Sequence, residues 1–455
     1  MVGFWTRIRQ AAGIWINPYS QAADHLHQDA FTQPTSHITP FPREFFPEIV
    51  DLILDHLHDD KASLKACSLV CKAWLTSCRF HLFYELHVPY CTTIADVGFE
   101  PFADFLYDHP SVRGFIRKLV LKADDERLSE EDLRAIHRGT AQIGPYLLVS
   151  ICNMLPALHS LRLFMLDWQN NQISGTQPWG VTTSPFPPIR PLQTLSLSVV
   201  YTSLPLQHIY EGDKELSTID VLRYFSDVKK LTMSRVSTIS DIEAPYPLRL
   251  QTLAMYHVAD MDRWTTFFKR ARVSESIRSI GFAFNSLRSP IVNRSPLGDW
   301  LHEEIGPKLH ELSLSLLRMK AHEFEDIISH PWESLGLDAC VNVRSITFML
   351  EFPDSQTSLP WALVLYTLSN IPSRDLDSLH ITFERHTKQE LPEIEMENRM
   401  RGLDWESLSK LRFRFKNLRQ PVVTLSQRET YWHSKNLHAP SLQNVFDAIR
   451  AEWFQ

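Results

Sequence analysis

Cys67, Cys71 and Cys78 fall within one short stretch, and residues four apart share a helical face, so Cys67 and Cys71 could offer two sulfur ligands to a metal. A tetrahedral site needs four donors, and neither a paired Cys-x-x-Cys nor a histidine at zinc spacing completes this one. Structural thiols in a small helical module are the better reading, and no metal is expected. The chain has no glycine-rich phosphate loop, no Gly-x-Ser-x-Gly elbow and no His-Glu-x-x-His helix. Its 20 histidines are scattered, with His56 and His58 in one stretch and His81 and His87 in another, again without metal spacing. No local group of residues is suited to making or breaking bonds, so a non-catalytic protein without a cofactor is expected.

Lys410, Arg412, Arg414 and Lys416 alternate with Leu411, Phe413 and Phe415. On a strand, that alternation puts four cations on one side, where they would suit an acidic or phosphorylated segment of a substrate protein. The same charges would also keep a terminal strand from pairing edge to edge, and Glu390, Glu393, Glu395 and Glu397 lie close enough in sequence to neutralise them.

A chain of 455 residues, 44% hydrophobic and 22% charged, exceeds one ordinary compact domain, so two parts or one elongated array must carry these residues. A net charge of −7 gives no global attraction for nucleic acid or anionic membranes, and any site for an anionic partner must be local. Six cysteines, unevenly placed, suit a reducing compartment, cytoplasmic or nuclear. No apolar run reaches the roughly 20 residues of a membrane span. Residues 1–37 read as a flexible tail.

Residues 38–80 begin with proline-marked turns and pass into Ile49, Ile53 and Leu57, whose four-residue spacing draws one stripe along a helix. Pro47 suits the first turn, and Glu48 and Asp51 favour the positive end of the helix dipole. After Asp59-Asp60-Lys61, two further short helical runs carry Leu64, Leu69, Val70 and Trp74. So short a module cannot enclose all this apolar surface, which points to a partner. Phe46-Pro47-Glu48-Ile49, Asp51-Leu-Ile-Leu-Asp-His-Leu57 and Leu64-Lys-Ala-Cys-Ser-Leu-Val-Cys-Lys-Ala-Trp74 together resemble the F-box of large fungal protein families. The usual opening Leu-Pro is here Phe46-Pro47. The resemblance implies three helices that dock on the Skp adaptor and through it on a cullin. It assigns adaptor contact, or its immediate support, to Pro47, Ile49, Ile53, Leu57, Leu64, Val70, Cys71 and Trp74.

From residue 81 to 455 an apolar-x-x-apolar-x-apolar pattern recurs roughly every 33 residues. Its copies are Phe83-Leu86-Val88, Ile116-Leu119-Leu121, Leu158-Leu161-Leu163, Leu192-Leu195-Leu197, Val228-Leu231-Met233, Leu250-Leu253-Met255, Ile277-Ile280-Phe282, Leu309-Leu312-Leu314, Val343-Ile346-Phe348, Leu376-Leu379-Ile381 and Leu408-Leu411-Phe413. The last two apolar residues of each copy alternate like a half-buried strand, and Met261–Phe268 and Pro360–Leu368 read as helices between copies. One strand and one helix per unit resembles the leucine-rich repeat, although the Asn or Cys that usually follows the strand is missing from most copies. The expected fold is thus α/β: a three-helix F-box at 38–80, then an irregular leucine-rich-repeat-like solenoid of alternating strands and helices at 81–455. These resemblances imply a substrate receptor in a Skp–cullin–F-box ubiquitin ligase, with a substrate protein of unknown identity on the solenoid. The other reading is a repeat scaffold that acts outside ubiquitin transfer.

Overall fold

A computed structural model describes residues 47–93, 96–123, 141–164, 166–168, 191–198, 222, 224–225, 227–234, 236, 247–256, 258, 261–283, 295–317, 336–351, 359–386, 393–419, 421–430, 433–436, 448 and 451. The tail at 1–37 and the opening of the helical module at 38–46 lie outside them. The fold is α/β, in two compact units, Met1–Ile189 and Arg190–Gln455. Among the described residues, no helix is long and apolar enough to cross a membrane.

The first unit opens with helices α1 (Pro47–His56), α2 (Lys61–Ser68) and α3 (Lys72–Tyr84), and α3 runs straight into strand β1 (Glu85–Pro89). The boundary expected at residue 80 therefore falls inside α3. A small antiparallel pair follows, β2 (Cys91–Thr93) and β3 (Asp96–Gly98), then α4 (Glu100–Asp108), α5 (Pro110–Arg113) and β4 (Lys118–Lys122). After β5 (Ala141–Ile143) come α6 (Pro145–Met154), β6 (Ser160–Phe164) and β7 (Leu166–Trp168). Strands β1, β4 and β6 lie side by side and parallel, with Leu86, Leu119 and Leu161 in one row and Val88, Leu121 and Leu163 in the next. Helices α4 and α6 place Phe102, Phe105, Leu148 and Ile151 in the core.

In the second unit, β8 (Leu192–Ser198), β9 (Asp227–Ser234) and β10 (Arg249–Tyr256) precede α7 (Met261–Arg270) and β11 (Ser279–Ala283). Then come α8 (Pro296–Trp300), β12 (Glu311–Ser315), β13 (Ser345–Glu351), α9 (Leu359–Asn370), β14 (Ser378–His386), α10 (Glu393–Arg401), α11 (Trp405–Arg412), β15 (Val422–Thr430) and β16 (His433–Asn436). Strands β8 to β15 are parallel neighbours in sequence order, and β16 closes the series antiparallel to β15. Leu195, Leu231, Leu253, Ile280, Leu312, Ile346 and Leu379 form one continuous row. Leu197, Met233, Met255, Phe282, Leu314, Phe348 and Ile381 form the next, and every member of both rows is at most 1% exposed.

The first apolar residue of each motif stands just before or at the start of its strand and is buried too, as at Ile277, Leu309, Val343 and Leu376. Behind these rows α7 turns Trp264, Phe267 and Phe268 inward at positions i, i+3 and i+4, the helical period. Phe268 stacks between Trp264 and Trp300, with centroids 5.8 Å and 6.1 Å away. Two glycines are required by geometry. Gly336 holds φ +73°, and a Cβ there would meet the carbonyl of Gly298; at Gly281 a Cβ would come within 2.7 Å of the Tyr256 hydroxyl that lies across it.

The eleventh motif copy is the exception. Leu408-Leu411-Phe413 was expected to form a strand, but residues 405–412 are helix α11, and the next strand is β15, beginning at Val422. Asp404 caps α11 by accepting the Ser407 N–H at 2.9 Å, and Glu406 bonds Lys410 one turn on at 2.6 Å. Trp405 and Leu408 are buried at helical spacing, while Phe413 is 88% exposed. Here cap, ion pair and helix-forming residues outweigh a leucine pattern that fits either period. In the rows that do form, truncating Ile346 to alanine is expected to cost about 2–5 kcal/mol in urea unfolding, whereas Ser345→Ala, one residue away on the opposite side, is expected to cost less than about 0.5 kcal/mol.

Candidate functional site

Helix α1 presents three faces. Val50 and Leu54 are buried and, with Leu64 of α2 and Cys78 and Leu82 of α3, make the core of the helical module. A second face is polar: Asp51 accepts from the Ser77 hydroxyl at 2.7 Å, and Asp55 pairs with His81 Nε2 at 3.1 Å. Both donors sit on α3 four residues apart, as the acceptors do on α1, so two matched contacts set how the helices lie. The third face is apolar and uncovered, with Ile49 44%, Leu52 58% and Ile53 39% exposed and Leu57 half-buried beside them.

Helix α2 leaves further apolar residues exposed at its far end. Asp60 caps it, accepting the Ala62 and Ser63 N–H groups at 3.1 Å and the Ser63 hydroxyl at 2.6 Å. The Ser63 hydroxyl, then its backbone N–H, hold the Asp60 carboxyl below the usual range. The last turn tightens as the Leu69 and Val70 N–H groups bond the carbonyls of Ala66 and Cys67. Leu69 is left 85% and Val70 64% exposed, with Cys71 exposed after them and Trp74 half-buried.

Of the residues assigned to adaptor contact, Ile49, Ile53, Val70 and Cys71 are thus exposed, and Leu57 and Trp74 partly so. Leu64 is wholly buried and can only support its neighbours. Pro47 opens α1. Leu52 and Leu69 were not assigned, yet both are among the most exposed apolar residues here. Leu52 could have been found from its place three residues after Ile49, on the same helical stripe. Burial, with the neighbouring Cys67 and Cys71 sulfurs, raises the Cys78 thiol to about 11, away from the thiolate a metal requires. Among the described residues, no group of three potential metal ligands occurs.

The cation row does not exist as expected. Lys410 lies on α11 and is engaged with Glu406, Arg412 ends the same helix, and Lys416 is exposed beyond it. Arg414 does something else: its guanidinium donates to the carbonyls of Leu368 at 3.0 Å and Ile371 at 2.6 Å, and to that of Ser369. It thereby closes the C-terminal end of α9, where free carbonyls and the negative dipole end favour a cation. Arg414→Ala is expected to lower stability by about 1–2 kcal/mol, and Arg414→Lys to restore only part of it, because one ammonium cannot replace the fork. Unfolding midpoints compared with that of Lys416→Ala, expected to be neutral, check this. The chain matches no known protein-family model, and no curated protein matches it.

Proposed function

We propose that this chain is the substrate-receptor subunit of a Skp–cullin–F-box ubiquitin ligase, docking on the Skp adaptor through α1–α3 and holding its substrate on a leucine-rich-repeat-like solenoid. The observation that carries the reading is the uncovered apolar face of Ile49, Leu52 and Ile53, with Leu69 and Val70 at the end of α2. A helix already supplied with core residues at Val50 and Leu54 has no internal use for a second apolar stripe. Exposing that stripe in water is unfavourable, and burying it against a partner recovers about 25 cal/mol for each Å² covered. The in-register leucine rows of β8–β14, one strand per motif copy, support the solenoid reading. In such a complex the chain would contribute proximity: substrate held on one part, the transfer machinery recruited by the other.

In pull-downs from cells, the intact chain is expected to bring down both the Skp adaptor and cullin. Ile53→Glu and Val70→Asp, both at exposed positions, should each weaken adaptor capture at least tenfold and leave the unfolding midpoint unchanged. Capture that survives both changes would remove the docking face from the proposal. Adaptor without cullin would instead favour a scaffold outside ubiquitin transfer.

A further inference from the structure

At the strand-entry edge of the second unit, the chain turns a corner before each strand, and successive corners are bonded to one another. The Arg278 N–H bonds the Gln251 carbonyl at 2.9 Å, the His310 N–H bonds that of Arg278 at 2.8 Å, and the Arg344 N–H bonds that of His310 at 2.8 Å. Arg278, His310 and Arg344 therefore stand on adjacent strands, about 4.8 Å apart, and all three are exposed. Nearby, the Leu248 N–H bonds the Ala271 carbonyl at 2.9 Å, with the exposed Arg249 and Arg272 one residue on from each, and Lys308 reaches the Ser274 carbonyl at 2.9 Å. Among the described residues none of these six side chains is in an ion pair. Arg278 and Arg344 are the fixed charges of this row, with the His310 imidazole as a polar group between them, and Arg249, Arg272 and Lys308 add positive charge beside it.

We infer that this edge is a docking track for a short acidic segment of a polypeptide. Its length argues for a peptide: Arg278 to Arg344 spans about 10 Å, matching three or four residues of extended chain, and the next corner is Asp377, whose N–H bonds the Arg344 carbonyl at 2.8 Å. Asp375 stands just before it, Asp227 pairs in register with Arg249, and Glu275 and Glu311 flank Arg278 and His310 in sequence, so the positive run is closed on its sides. A nucleic acid needs a longer track of cations than this edge provides. The track does not depend on the adaptor reading of α1–α3.

The test is fluorescence anisotropy on the full chain with a labelled hexaglutamate peptide, its hexaglutamine counterpart and a hexathymidylate. Hexaglutamate is expected to bind, at least tenfold more weakly at 300 mM than at 50 mM NaCl, and hexaglutamine to show no binding. The combined change Arg278→Gln, His310→Gln and Arg344→Gln should weaken hexaglutamate binding at least tenfold without lowering the melting temperature. Arg278→Glu with Arg344→Glu should switch the preference to hexalysine. Equal binding of hexaglutamate and hexaglutamine, unchanged binding by either variant, or tighter binding of hexathymidylate would overturn the inference.

Discussion

Each of strands β8 to β14 carries two inward side chains that only the matching pairs on its neighbours can cover. Leu312 and Leu314 are sealed by Ile280 and Phe282 on one side and by Ile346 and Phe348 on the other. Register is therefore fixed strictly, since a slip of one residue would turn the buried pair outward along the whole strand. The corner hydrogen bonds, from Arg278 to Gln251 and onward to Arg419 on Asp377, lock the same register from the backbone. Everything behind the rows has to fit them, and the fit leaves a cost. Among the described residues, the buried indole N–H groups of Trp264 and Trp300 have no partner, each worth about 1–3 kcal/mol in lost hydration, which the stacking of both rings on Phe268 offsets in part.

That constraint is why so much of the fold can be read from the sequence. A pair of apolar residues at a fixed offset from a third, returning every few dozen residues, is what a stack of covered strands requires, and within each unit the copies fall on strands in matching register, Leu86 to Leu163 in the first and Leu195 to Ile381 in the second. The pattern is ambiguous where the offset is degenerate. Leu408-Leu411-Phe413 has the strand spacing, but it also has the three-residue step of a helix, and the deciding residues lie outside the leucine pattern: Asp404 as a cap and Glu406 four residues before Lys410. Once the segment is a helix, alternation no longer gathers Lys410, Arg412, Arg414 and Lys416, and Arg414 is drawn to the end of α9. No local pattern announces that contact, because the acceptors stand more than forty residues earlier in the chain.

The helical module was legible differently. Spacing alone put Ile49, Ile53 and Leu57 on one stripe, but spacing cannot say which of two apolar stripes faces inward. Val50 and Leu54 also lie four apart, and the structure gives them the core. Asp51 and Asp55, both exposed, are compatible with that choice, since in this orientation they meet the hydroxyl of Ser77 and the imidazole of His81. With the polar flank satisfied and the adjacent stripe buried, the remaining stripe is forced outward. The exposure of Ile49, Leu52 and Ile53 thus follows from the burial of Val50 and Leu54 on the neighbouring stripe of the same helix.

A stack of this kind also divides its surface by how much freedom packing leaves. The inward rows admit only apolar residues, whereas the opposite side mixes small residues, such as Ser279 and Gly281 on β11, Ser313 on β12 and Ser345 and Thr347 on β13, with larger ones such as Met349 and His380. Tyr256 is on that side too, and its hydroxyl lies where a Cβ at Gly281 would come. Burial pushes its phenol up, while the Ser313 hydroxyl, 3.4 Å away, acts to lower it. Corner positions carry neither demand, since their backbone supplies the ladder bond whatever the side chain. The arginines at Arg278 and Arg344, with His310 between them, are therefore not something the ladder imposes. The same backbone geometry would accept serine at all three.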